Sequence, residues 1–553
     1  MSRQSRASTA LLLAGLLLPG TAATTSAGPA LGPTNAAAGA GTIGDPYYPN
    51  LGNGGYDARH YTLDLKVDVR RDTISGTVTM DAVATENLRS LSLDFAGFRI
   101  SAVTVNHVPA AYRHRSRKLF ITLPYAVATR QTMIISITYA GTPTLIATPS
   151  GDGGWHGTGT GSFVTSEPDG AEGWFPVNDH PRDKATYTFR ITVPRPFVAV
   201  ANGLPAGTST TGGAVIYTWQ ERHPMASYLA TVAIGRFTVS RSTGPGGLPI
   251  LSYYPPALAA RAQPVFARLP AMIAYFERIL GPFPFEGYGT ILEGTALSYA
   301  LETQTRSLFG RAVLSYIPDR AQEGISHELA HQWFGDSVSL KSWRDIWLNE
   351  GFATYLSWLW LEHLQARAYL SAIMRGQYTY ILEAPAYDTL LTHPTARGLP
   401  VLRLMERILR AQDQPMSYAA LMSAMGLTSV ARVTAGRALG FLGNTRPGSA
   451  DARSFHELAL SSAPAMPPRT DLFPQSVYVR GAMTLQALRL RVGDTVFFRI
   501  LRGYATRYRD ANASTANFIA VASAISGQNL TAFFRTWLYA PAAPPMPALL
   551  PTQ

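Results

Sequence analysis

The chain has 553 residues, 46% hydrophobic and 15% charged, which excludes intrinsic disorder and calls for two or three domains rather than one. It carries no cysteine, which rules out disulfides, cysteine-ligated iron–sulfur clusters and thiol chemistry. The net charge of +12 comes from scattered arginines, with lysine only at Lys66, Lys118, Lys184 and Lys341 and no basic run longer than a pair, so no nucleic-acid partner is expected.

The chain opens on a positive start, Arg3 and Arg6, followed by an apolar run from Ala10 to Leu18 that is too short to span a bilayer. Small residues then lead to Thr25-Ser26-Ala27. Residues 1–27 therefore read as a secretory signal peptide, and the mature protein is expected to be secreted. No later apolar run reaches membrane-spanning length, so no stable membrane insertion is expected after signal cleavage. Residues 28–45 are rich in Gly, Ala, Pro and Thr and read as a linker.

From Tyr61 the residues alternate, with Tyr61, Leu63, Leu65, Val67 and Val69 on one side and Thr62, Asp64, Lys66 and Asp68 on the other, as in a half-buried strand. Thr77–Met80, Leu91–Phe95, Leu119–Leu123, Met133–Tyr139, Thr186–Val193 and Tyr228–Ile234 are further strand candidates. Turn residues separate them at short intervals, which predicts an antiparallel β-sandwich over 46–242. The glycine-rich stretch Gly151–Ser162 precedes no helix and no Lys-Ser/Thr, so it reads as a flexible loop rather than a phosphate cradle.

A helical period begins after Pro249. Ala259–Leu280, Ile346–Leu364, Arg480–Arg491, Thr495–Tyr508, Thr515–Ser526 and Thr531–Leu538 are the predicted helices of a second domain over 243–540. The whole is an α+β multidomain chain, ending in a Pro/Ala-rich tail over 541–553.

Within the helical half, Gly324–Tyr355 carries the chemistry. His327 and His331 stand four apart, on one face of a helix about a turn from each other, and Glu328 follows the first. Ile325, Leu329 and Trp333 form the buried side of that helix, with Pro318 and Asp319 as breaker and cap before it. Glu350 comes after 18 intervening residues, in the first turns of the next helix. Two imidazoles and a carboxylate form a donor set for one Zn²⁺ per chain with a fourth position open to water, the arrangement of catalytic rather than structural zinc. Glu328 would project toward that water. His363 reads as a packing residue, while Asp336 and Asp345 read either as acceptors for the zinc histidines or as local caps.

These residues resemble the aminopeptidase N family of gluzincin metallopeptidases, whose motif is HExxH-x18-E with a surround standing here as Trp343–Ala353. Three other stretches carry the likeness. Leu297–Arg306 stands where the family has Gly-x-Met-Glu-Asn, with Tyr299, Leu301 and Thr303 departing from it and Glu302 on the conserved glutamate. Thr165–Phe189 resembles FPCxDEP-x-x-KA-x-F, with Val177 for cysteine, His180 for glutamate, and Glu167 nine residues before Pro176. Val477–Arg489 matches Y-x-[KR]-G-A-x-x-L through Tyr478.

The resemblance implies a compact secreted form with a thermolysin-like, mainly helical zinc-peptidase domain after the sandwich. It implies that Glu302 and Glu167 bind the free α-amino group of a peptide, that Glu328 shuttles the proton of the attacking water, and that Tyr478 steadies the oxyanion. The expected activity is removal of residues from peptides with a free N-terminus. The alternatives are endopeptidase or epoxide hydrolase specificity, or a catalytically inactive peptide-binding scaffold on the same fold. From Glu350 to Tyr478 runs 128 residues, about twice what the resemblance leads one to expect, which predicts a helical insertion over about 400–464.

Overall fold

The computed structural model describes residues 33–148, 151–295, 297, 299–365, 463–541 and 543–544. The signal segment 1–27 lies outside these residues, as do 28–32 of the linker, 400–462 of the insertion and 545–553 of the tail.

The N-terminal lobe rests on an eight-stranded sheet in the order Leu204–Thr211, Ala214–Met225, Ala185–Pro194, Tyr56–Asp68, Thr73–Ala84, Thr132–Gly141, Arg99–Val105 and Val108–Pro109. Neighbours run antiparallel except Ala185–Pro194 beside Tyr56–Asp68, which run parallel. The alternation expected at Tyr61–Val67 is realised: Tyr61, Leu63, Leu65 and Val67 enter the core with Val78, Met80, Ile135, Ile137, Phe189 and Ile191. On the opposite face Thr77 meets Thr138 at 2.9 Å and Thr79 meets Ser136 at 3.0 Å, hydroxyl pairs that suit a solvent-facing ladder. A four-stranded sheet of Ala37–Ala38, Leu88–Asp94, Lys118–Val127 and Ala111–Arg115 brings Leu91, Leu93, Leu119 and Ile121 into the same core.

Three local expectations are corrected. The linker is not a free spacer over its described part: Ala37–Ala38 pairs with Leu88–Asp94, and the buried Asp45 accepts from Trp343 N–H at 3.0 Å and lies 3.1 Å from His180 Nε2. The glycine-rich loop is a hairpin, with Gly151–Gly157 paired to Ser162–Thr165, because Gly154 and Gly170 approach backbone to backbone where a Cβ on Gly170 would lie 2.5 Å from Gly154 N. Of Tyr228–Ile234 only the end is extended: Ser227–Leu229 is a 3₁₀ turn and Val232–Gly235 is the strand.

The second lobe opens on a five-stranded sheet ordered Thr238–Thr243, Pro249–Tyr254, Thr290–Glu293, Ser307–Gly310 and Ala300–Leu301, which makes Ala300–Leu301 an edge. The single helix expected over Ala259–Leu280 is two, α1 (Ala259–Phe266) and α2 (Leu269–Leu280). Pro270, in the first turn of α2, has no N–H to donate, and its ring would collide with the carbonyl four residues back. Helices α3 (Pro318–Ala330) and α4 (Trp347–Gln365) follow. Pro318 is the first residue inside α3 rather than a breaker before it, a place where its fixed φ and missing N–H cost nothing. Helix α4 is buried nearly all round, through Trp347, Phe352, Leu356 and Leu359. The remaining helices among the described residues are α5 (Gly481–Val492), α6 (Asp494–Arg507), α7 (Thr515–Ser526) and α8 (Thr531–Tyr539), close to their predicted bounds.

The lobes are joined by buried polar contacts. Lys184 Nζ donates to the carbonyls of Asp336 at 2.7 Å and Ser337 at 2.9 Å, just past the metal-helix histidines. Arg306, fully enclosed, donates to Gly203 O at 2.8 Å and lies over the Trp219 ring at 5.2 Å.

Candidate active site

Helix α3 presents His327 and Glu328, and His331 takes the position just past its end with helical backbone angles of φ −57° and ψ −26°. The two imidazoles lie edge to face with centroids 4.7 Å apart. From α4, Glu350 Oε2 reaches 3.2 Å from His327 Nε2 and 3.6 Å from His331 Nε2. Ligands held at about 2.0–2.1 Å around a tetrahedral zinc stand roughly 3.3 Å apart, so these spacings fit one ion. His331 Nδ1 donates to Phe334 O at 3.1 Å, which leaves the Nε2 lone pair facing Glu350 and His327.

The electrostatics also ask for a cation. Burial would lower His331, but Glu302 and Glu350 outweigh it and push the imidazole up to about 10. Burial would raise Glu350, but His331 and His327 hold it at about 2. Glu302, Glu328 and His331 bring a second set of donor atoms within 4.8 Å of one another. Glu328 is buried, and burial followed by the charges of Glu302 and Glu350 drives its carboxyl well above the usual range, which suits a group that takes and returns a proton.

Glu302 sits immediately after the edge strand. Its carbonyl accepts from Gln332 Nε2 at 3.0 Å, while its own Oε1 is buried and unpartnered. Glu167 arrives from the sandwich lobe, two residues beyond Thr165, and its Oε1 is likewise buried and unpartnered. Its carboxyl is driven well above the usual range by burial, then by Glu302, Glu350 and Glu328. Two orphaned carboxylate oxygens beside a metal-binding triad form an acidic notch with room for a positive group.

Tyr478 stands in a π-helical turn, Ser476–Arg480, with its ring stacked on His327 at 6.2 Å and 22°. Such a turn widens the helix and turns a side chain out of register, a device common at functional sites. Arg480 fixes the turn by donating to Trp537 O at 2.8 Å and Ala540 O at 2.7 Å. All seven predicted site residues thus lie in one neighbourhood, near enough for contact or mutual charge effects.

The lesser candidates divide. His363 packs on Tyr275, ring on ring at 4.6 Å. Asp345 Oδ1 accepts from Thr515 N–H at 3.1 Å and Thr515 Oγ1 at 2.6 Å at the start of α7, so its partner is a threonine of that helix rather than a zinc histidine. Among the described residues Asp336 makes no side-chain hydrogen bond, and the acceptor for His331 Nδ1 is the Phe334 carbonyl instead.

Two supports were invisible in the sequence. Thr305 holds φ +63°, rare for a β-branched residue, pinned by Gly203 N donating to its Oγ1 at 2.7 Å and by its own N–H on Gln332 Oε1 at 2.8 Å. That turn swings the chain round behind Glu302. The other is a contact between Gly351 and Gly481, next to Glu350 and Tyr478.

Residues 57–229 match the peptidase M1 N-terminal domain, and residues 307–393 match the peptidase family M1 domain. The chain therefore carries the two matched domains of peptidase family M1. An M1 zinc metallopeptidase from Deinococcus radiodurans has the same fold, with a TM-score of 0.70 and 28% identity over 93% of this chain and 100% of that one. A mutant of that M1 enzyme is known with a bound Tyr-Ser-Ala substrate. Human glutamyl aminopeptidase is 27% identical over 345 residues, 55% of this chain and 35% of its own length. Leucine aminopeptidase 2 of Neurospora crassa is 26% identical over 54% of this chain and 47% of its own. The chain spans about a third to a half of the length of these curated relatives. Zinc is the metal of the family, and His327, His331 and Glu350 are the residues that fit it.

Proposed function

We propose that the protein is an exported zinc aminopeptidase that releases residues one at a time from the free N-terminus of peptides. The observation that carries the reading is the pair of unpartnered carboxylates, Glu302 and Glu167, beside the His327–His331–Glu350 triad. A peptide ammonium there would satisfy both orphaned oxygens, and that pairing would fix which amide reaches the metal. Export rests on the positively charged, apolar and small-residue order of residues 1–27. Among the described residues no helix is long and apolar enough to cross a membrane.

Zinc bound at the triad supplies Lewis-acid polarisation of the scissile carbonyl and acidifies water. The chain's own residues do the rest. Glu328 takes a proton from the attacking water and delivers it to the departing amine. The Tyr478 phenol, kept protonated by burial and by the surrounding glutamates, donates to the oxygen that gains charge. Glu302 and Glu167 hold the ammonium through both steps.

A panel of aminoacyl fluorogenic amides, free and N-acetylated, with and without chelator, tests this. Free amides should be cleaved in a chelator-sensitive way and acetylated ones left intact. Equal cleavage of both would point to an endopeptidase, turnover of an epoxide alone to the hydrolase alternative, and no turnover of any to a peptide-binding scaffold.

A further inference from the structure

A cleft of about 1290 Å³, lined by none of the seven site residues, lies between the sandwich and the first sheet of the catalytic lobe. Its rim is basic. Lys66, Arg70, Arg195 and Arg236 line it and are exposed, and among the described residues Lys66, Arg70 and Arg236 enter no ion pair. Asp68 is the acid on that rim, and it is taken by Arg71 at 2.9 Å.

The floor differs in character. Glu293, at the end of the strand Thr290–Glu293, is only 8% exposed, and its Oε1 has no partner. The Oγ1 of Thr295 beside it is also buried and unpartnered. Burial pushes the Glu293 carboxyl up to about 8, so near neutral pH it carries its proton and offers the cleft a donor without a charge. The turn at residues 158–161, tip of the glycine-rich hairpin, forms one wall. Unlike the notch at Glu302, this cleft gathers positive charge outside and uncharged hydrogen-bonding groups within.

We propose that this cleft binds an acidic segment of a peptide chain, with carboxylates on the arginine and lysine rim and backbone amides on Glu293 and Thr295. A peptide supplies what both layers lack: anionic side chains for the rim, and N–H and C=O groups for orphaned atoms that are costly to leave unmade. A peptide meets the floor with both N–H and C=O groups, whereas a polyphosphate brings acceptors alone. Thr290–Glu293 pairs with Ser307–Gly310, which pairs with Ala300–Leu301 leading into Glu302, so Glu293 stands two strand spacings, roughly 10 Å, across the sheet from the edge strand and three residues along it from the level of Glu302. Resting on the proposed activity, the cleft would favour long substrates with acidic residues downstream of the scissile bond.

The test separates this from the activity by using a peptide that the amino notch should reject. Fluorescein-labelled, N-acetylated hexaglutamate is titrated with the full chain, wild type and the Lys66→Glu/Arg236→Glu double variant, and followed by anisotropy. Saturable binding to wild type that weakens about tenfold or more in the double variant, with unchanged thermal unfolding, is the expected result. Glu293→Gln should weaken it less, and Glu328→Gln not at all. Absence of saturable binding, or equal binding by the double variant, overturns the proposal. Displacement by polyphosphate or decathymidylate at the concentration where unlabelled hexaglutamate displaces overturns the peptide assignment.

Discussion

Gly351 and Gly481 touch backbone to backbone: a Cβ added to either would lie 2.9 Å from the Cα of the other. Glu350 precedes one of these glycines and Tyr478 stands three residues before the second, so the contact sets the distance between a metal ligand and the phenol. Gly351→Ala must push α4 and the π turn apart, because the atoms it meets, Gly481 and the Val477 carbonyl, are main chain. Overpacking of this kind costs about 1–3 kcal/mol. Thermal unfolding should show that loss, and kcat should fall by more than KM changes. An unchanged unfolding midpoint and kcat would contradict the role given to the pair.

Glu328→Gln keeps the shape of the side chain and removes the proton shuttle. With zinc retained at the wild-type level, kcat should fall by about 10²–10⁴. Metal analysis beside steady-state kinetics checks this, and near-wild-type turnover would show that another group moves the proton.

Tyr478→Phe removes the donor and leaves the ring stacked on His327. The expected loss is about 10²–10³ in kcat with KM nearly unchanged, because a developing oxyanion exists only past the ground state. A change in KM alone would make Tyr478 a packing residue.

Glu302→Gln and Glu167→Gln weaken the hold on the ammonium. A charge-assisted hydrogen bond contributes about 1.5–3 kcal/mol, so the preference for free over N-acetylated substrates should shrink by roughly tenfold to a hundredfold for each. Retention of the full preference in both variants would remove them from amino-group recognition.

Asp45 supplies a pH test away from the metal. Burial would raise its carboxyl, but hydrogen bonds from His180, Ser342 and the Tyr47 N–H hold it at about 2, below the ordinary 3.8. A depressed carboxylate stabilises the fold fully above 3.8, and that contribution disappears as pH falls toward 2. The difference in unfolding midpoint between wild type and Asp45→Asn should be widest near about pH 6 and close as the pH approaches about 2. A constant difference would mean that the pair with His180 adds nothing through charge.

The parts of this molecule that could be read in advance are those written in short spacing. His327 and His331 lie on one helix face because of where they sit in the chain, and Tyr61, Leu63, Leu65 and Val67 point inward because a strand repeats every two residues. What stayed hidden depends on partners far along the chain. The role of His180 needs Asp45, 135 residues away, and the burial of Gly154 needs the backbone of Gly170. The same holds for Gly351 against Gly481, and for Thr305, whose left-handed backbone is set by Gly203 and Gln332. The break between α1 and α2 is of another kind: Pro270 is local, but the apolar period runs on across it and masks the effect of the ring.

The central claim is that one ion, held by His327, His331 and Glu350, is needed for peptide-bond cleavage beside an amino-group notch. Zinc added stepwise to chelator-treated protein, with aminoacyl-amide hydrolysis measured at each step, tests it most directly. Activity should rise in proportion and level off at about one equivalent per chain, with no such rise in Glu350→Gln. Full activity in metal-free protein, or a Glu350→Gln variant that titrates like wild type, would contradict it.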